Sequence, residues 1–266
     1  MKRLKGWMAA ACLGLLAACG GSGGTTTGTV TSPPPPPPPA APADINLLFF
    51  GNSHTAGNDV PGLVAALVRA ARPGRTVAAV NEPTWLFLDE RLRHAPSKDL
   101  LASRRWSVVV LQAQKYSSSG NFFYSTFEAA EWVRMARANG AVPVLFPEWP
   151  RRDLNESGDI FGLHLSIAEQ APACVPPIPQ SWDIALAADP SLPLWASDGN
   201  HSAPAGALLA AMVIASTITG DSPAGMPTLA SVSVDAATQA ALRTAATNAV
   251  TAVPPRQRCP GDPYPS

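Results

Sequence analysis

From residue 45 onward the apolar positions follow two alternating patterns. Short unbroken runs come first: Ile45–Phe50, then residues 76–80, 106–111 and 141–146, with a last short run at 192–196. Runs of this length with no polar alternation predict strands covered on both faces. Between them lie stretches with helical spacing. Val60–Ala71 sets Leu63, Leu67 and Ala70 on one face and stops at Pro73-Gly74. Residues 85–93 and 161–170 read as helices. Residues 126–139 are amphipathic, with Gly140 as C-cap. Pro204 opens a helix over 205–219 that Gly220 ends, and 234–253 form a final Ala-rich helix.

Strand and helix in turn, through one domain of about 220 residues, predict a three-layer α/β/α sandwich with a mainly parallel, five-stranded sheet and right-handed crossovers. Such sheets bind ligands at the carboxyl ends of their strands. Ser53 follows the first run, Gln112 ends the run at 106–111, and Glu148 follows the run at 141–146.

The ends of the chain read differently. Lys2, Arg3 and Lys5 precede an apolar segment at 7–18, too short for the roughly 20 residues a bilayer span needs. Residues 1–18 are therefore expected to be a signal peptide. Leu16-Ala17-Ala18-Cys19 resembles a bacterial lipobox, which implies cleavage before Cys19 and lipid on it. Gly20, where an aspartate would favour the inner membrane, leans the expectation to a lipoprotein of the outer membrane. Residues 19–43 are a Gly/Thr/Pro-rich linker whose proline run at 33–39 favours polyproline II. The domain is expected over 44–253 and an irregular tail over 254–266.

The signal takes three of the 19 basic residues and none of the 19 acidic ones, leaving 16 against 19 and a net charge of −3. No basic surface for nucleic acid is implied. Cys174 and Cys259 remain beside Cys19. In an oxidising compartment they can pair and tie down the tail, or stand as two separate thiols. No spacing of His, Cys or Asp makes a zinc site, and no Gly-rich phosphate loop lies in the domain.

Two motifs carry candidate chemistry. Gly51-Asn52-Ser53-His54 places a serine in a tight turn after a buried strand. A serine needs a base to become a nucleophile. Asp198-Gly199-Asn200-His201 places a base and an acid that can orient it three residues apart, just before a helix. Taken singly, Ser53 also reads as an N-cap and Asp198-Gly199 as a turn.

Together, in this order, they resemble the SGNH/GDSL hydrolase superfamily, and the resemblance covers residues 44–220. It implies a flavodoxin-like sheet, Ser53 as nucleophile, His201 as base and Asp198 as its orienting acid, with no cofactor. The family's glycine after the second strand is missing. Residues 80–85 read Val-Asn-Glu-Pro-Thr-Trp, so Asn81, Glu82 or Thr84 would have to donate a backbone N–H instead. The family's oxyanion-binding asparagine is replaced by Leu111-Gln112-Ala113-Gln114, like a subgroup carrying Leu-Gln-x-Gln-Ser. Ser53, Gln112 and Gln114 are the expected oxyanion donors. His54, Glu148 and Trp149 are expected to line the pocket, whereas Trp85 and Trp182 suit either sugar stacking or the core.

The expected activity is hydrolysis of small-acyl esters, on carbohydrates by family resemblance, by a monomer in the cell envelope. A lipase or lysophospholipase remains open, as does a glycan-binding protein that keeps the fold without turnover.

Overall fold

The computed structural model describes residues 43–266. The expected signal peptide, Cys19 and nearly all of the expected linker lie outside them. The elements run β1 (Ile45–Phe50), α1 (Ser53–Ala56), α2 (Val60–Ala71), β2 (Val77–Asn81), α3 (Leu88–Arg91), α4 (Ala95–Ala102), β3 (Val108–Leu111), α5 (Phe127–Asn139), β4 (Val142–Leu145), α6 (Ser157–Gln170), α7 (Ile178–Ala188), α8 (Pro204–Thr219) and α9 (Ala236–Ala252). The four strands are parallel, in the order β2-β1-β3-β4. The chain leaves β1 to one side for β2 and returns to its other side for β3. The switch point therefore lies between β1 and β3, where an open α/β sheet has its crevice.

Successive β1 side chains alternate between two cores. Leu47 and Phe49 join Val108, Val110 and Val144 under a layer that includes α2, α7, α8 and α9. Leu48 and Phe50 join Val109, Leu111 and Leu145 against α5 and α6. With both faces covered, every residue of β1 is buried, which is why the run has no polar alternation. Helix ends follow local chemistry. Asp59 accepts from the Gly62 N–H at the start of α2, Asp235 does the same for Thr238 in α9, and Gly140 and Gly220 close α5 and α8 in the left-handed region. The α8 helix is buried on all sides, and no helix among the described residues is long and apolar enough to cross a membrane.

The sheet has four strands rather than five. Residues 192–196 instead fold back on the residues after His201: Ala196 donates to the His201 carbonyl at 2.8 Å and Ala203 to the Leu194 carbonyl at 2.8 Å. The place beside β4 goes to a single bridge, Val144 with Cys174. Cys174 donates to the Pro143 carbonyl and Leu145 to the Cys174 carbonyl, and the ladder stops there. Extending it either way would need N–H groups from Pro143 and Pro172 or from Pro147 and Pro176, and proline has none. Cys174 is disulfide-bonded to Cys259, with Cα atoms 5.1 Å apart. This ties the sheet edge to residues 254–266, which hold neither helix nor strand.

Candidate active site

Ser53 is the first residue of α1, directly off the end of β1. Gly51 makes the turn possible: a Cβ there would stand 2.6 Å from Gln112 Oε1 and strike Thr55. Asn52 caps α1, accepting from the His54 N–H at 3.0 Å. Ser53 Oγ lies 2.8 Å from His201 Nε2, and His201 Nδ1 lies 2.6 Å from Asp198 Oδ2. The loop holding the last two is self-contained. Asp198 Oδ1 accepts from the N–H groups of Asn200 and His201, and Gly199 takes φ +68° at the turn. Hydrogen bonds from the His201 ring and from these two N–H groups hold Asp198 well below the usual carboxylate range. Ser53, His201 and Asp198, 148 residues apart at the extremes that touch, thus form one hydrogen-bonded chain able to move a proton off the serine.

The cavity beside this chain is about 480 Å³ and is lined by Asn52, His54, Gln114, Tyr116, Glu148 and Asn200, among others. Asn52 and His54 flank Ser53, and Asn200 precedes His201. The His54 ring stacks on that of His201, with centroids 4.9 Å apart. Burial, then the Glu148 and Glu156 carboxylates, push the Tyr116 phenol above its ordinary range, so it stays a donor to Glu156.

Three expected roles need correction. Gln112 is fully buried, and its side chain is bonded on both the oxygen and the nitrogen. Its Oε1 accepts from the Asn52 N–H at 2.7 Å and from the Thr55 hydroxyl at 2.9 Å, and its Nε2 donates to Glu148. It braces the serine turn from beneath, with no exposed surface and no place in the cavity lining, rather than facing the oxyanion position. Gln114 Nε2 donates to the Lys115 and Ser125 carbonyls, which uses both amide hydrogens and pins the loop after β3. Ala113 between them takes φ +76°, a left-handed conformation rare without glycine. That kink separates one glutamine under the serine turn from another on the cavity wall. Trp149 is a core residue, 1% exposed, stacked on Trp182; its Nε1 donates to the Asn200 carbonyl and so supports the His201 loop from behind.

Of the backbone donors expected to replace the absent glycine, Glu82 N–H is bound to the Phe49 carbonyl and Thr84 N–H to the Glu82 carboxylate. On the turn itself, the Ser53 N–H and the Asn52 side-chain amide nitrogen have no hydrogen-bond partner among the described residues. Sequence reasoning also missed Arg91. Buried completely, it pairs with Glu82 and donates to the carbonyls of Gly51, Thr84 and Leu86, which joins the β1 turn to the loop after β2. Burial opposes the charge on Glu82, but hydrogen bonds from Thr84 and Arg91 outweigh it and leave that carboxyl below its ordinary value. Only the unusual Glu82 and Arg91 at helix-and-turn positions hinted at it.

No family model and no curated protein matches this sequence. Solved structures do match. A protein described as a candidate SGNH hydrolase from Slackia heliotrinireducens superposes with a TM-score of 0.52 at 25% identity, over 65% of this chain and 98% of its own. This likeness supports an SGNH-type hydrolase fold for the chain. A DUF4886 family protein from Bacteroides uniformis shares the fold with a TM-score of 0.63 at 17% identity, over 78% of this chain and 95% of its own. TesA does so with a TM-score of 0.51 at 20% identity, over 66% and 98%. In this chain Gln112, Arg91 and Glu82 are spent on holding the turn that carries the serine.

Proposed function

We propose that this SGNH-fold protein is a serine esterase that hydrolyses small-acyl esters, acetyl-like and carried on carbohydrates, in the cell envelope. The observation that supports it most is the hydrogen-bonded chain Ser53–His201–Asp198 opening beside a cavity. Ser53 Oγ attacks the ester carbonyl as His201 Nε2 takes its proton. Asp198, ionised and fixed by its own turn, stabilises the imidazolium and sets the tautomer. The oxyanion is received by the Ser53 N–H and the Asn52 amide nitrogen. His201 then passes the proton to the leaving alcohol, and water hydrolyses the acyl-enzyme by the reverse route. These steps are carried by side chains and backbone alone. Envelope placement through a lipidated Cys19, and a monomeric state, are part of the same reading and rest on the sequence.

The test is hydrolysis of p-nitrophenyl acetate by the full chain beside Ser53→Ala and Asp198→Asn. The parent should turn over; Ser53→Ala should fall to background, and Asp198→Asn should lose about 10³–10⁴ in kcat. Equal background rates in all three, on acetylated sugars as well, would replace this reading with a binding protein on the same fold.

A further inference from the structure

Glu148 stands in the wall of the cavity with one oxygen to spare. Its Oε1 accepts from Gln112 Nε2, whereas Oε2 has no hydrogen-bond partner among the described residues. The residue is 8% exposed. Oε2 is open to the cavity, so a donor that enters can reach it.

The neighbour is His54. Asn52 Oδ1 accepts from the His54 backbone N–H and lies 3.3 Å from His54 Nδ1. That contact orients the ring, so that its Nε2 edge turns towards Glu148. That Nε2 is 3.9 Å from Glu148 Oε2, too far for a direct hydrogen bond. Two polar atoms therefore face the same space without bonding each other directly.

The charges around the cavity sharpen the picture. Lys115 donates to Asp89 at 2.8 Å and Glu90 at 3.1 Å, and Arg151 lies 3.6 Å from Glu156. Each cation of the lining is matched by its own acid, which leaves Glu148 as the uncompensated charge. Phe87, Tyr116 and Tyr124 supply aromatic faces to the same wall.

We propose that His54 and Glu148 form the subsite for the alcohol part of the substrate, and that this part is an uncharged polyhydroxylated ring, a sugar. One hydroxyl donates to Glu148 Oε2 and its neighbour hydrogen-bonds His54 Nε2, while the ring's apolar face lies against the aromatic wall. The Glu148 charge, with no free cation to offset it, excludes phosphate-bearing alcohols. This rests on the esterase reading above and extends it from the acyl-transfer centre to the leaving group.

The experiment compares two esters on the full chain: mono-O-acetylated glucose and p-nitrophenyl acetate, which carries no hydroxyl. Glu148→Gln should lower the ratio of kcat/KM for the sugar ester to that for the aryl ester about 10- to 100-fold, as loss of a hydrogen bond to a charged group does, with the change in KM. His54→Phe, which keeps an aromatic ring and loses the polar nitrogen, should shift the ratio the same way. Should either variant not fold, the wild type decides: it should prefer the acetylated sugar to lysophosphatidylglycerol. An unchanged ratio in folded variants, or a preference for the phospholipid, overturns the subsite while leaving the esterase in place. Absence of turnover on every ester overturns the esterase itself.

Discussion

The side-chain amide of Asn58 donates to the carbonyl of Ser202 at 2.8 Å. One residue sits in the turn after the Ser53 helix and the other directly follows His201, so this bond links the two halves of the proton-transfer chain. The backbone there is left-handed at two successive non-glycine residues, Asn58 and Asp59, both with φ 52°. Asparagine tolerates that conformation better than most residues. Asn58→Gly keeps the backbone and removes the link, and should lower kcat for p-nitrophenyl acetate by about 10-fold with little change in melting temperature. Asn58→Ala should add a stability loss of about 1 kcal/mol, because alanine resists this conformation. A wild-type kcat in the glycine variant would show that the link does not position the serine.

Gln112 offers a way to separate bracing from catalysis. Gln112→Ala would leave the Asn52 N–H, the Thr55 hydroxyl and Glu148 without their shared partner. Stability should fall by on the order of 3 kcal/mol, together with activity. An oxyanion donor would behave otherwise, losing kcat at an unchanged melting temperature. Denaturant melts beside kcat distinguish the two.

His164 sets an acid limit on the fold. It is buried in α6, bonds the Ile160 carbonyl at 2.8 Å, and burial holds its pKa down to about 4 from an ordinary 6.5. Above pH 6.5 the ring is neutral whether the chain is folded or not, and contributes no pH dependence. Between 6.5 and 4 only the unfolded chain takes up the proton, so stability falls as the pH falls through that window. The loss by pH 4 is about 3 kcal/mol. His164→Leu should flatten the curve of unfolding free energy against pH by that amount. Parallel curves for parent and variant would assign the acid sensitivity elsewhere.

The Cys174–Cys259 disulfide spans 85 residues. Replacing both by serine removes a constraint of about 4 kcal/mol on the unfolded chain, which corresponds to a drop of about 10 °C in melting temperature for a domain of this size. Calorimetry of the double variant against the oxidised parent measures it, and an unchanged melting temperature would mean that the tail adds nothing to the fold.

Much of this was written locally in the chain. The runs at Ile45–Phe50 and around Val108-Val109-Val110 announce strands buried on both faces, because burial on both sides removes the polar alternation. Ser53 and His201 could be placed at the mouth of the sheet because each follows a structural boundary that Gly51 and Pro204 mark. The helix Ile178–Ala188 escaped notice, since Pro176, Pro177 and Pro179 mask its start, and Ala95–Ala102 was too short and too weakly patterned to stand out.

Tertiary structure alone decided the rest. Whether residues 192–196 joined the sheet depended on what β4 could offer them. The prolines that deny β4 a full neighbour act only once Val144 and Cys174 are side by side. Whether Gln112 faced the substrate or the serine turn depended on a single left-handed residue, Ala113, and on a carboxylate 36 residues further along. The sequence determined which segments are buried and which residues stand at strand ends, since periodicity and chain punctuation are local properties. Which side chain meets which partner depends on register and on the direction each bond takes out of the backbone, and those exist only in the folded chain.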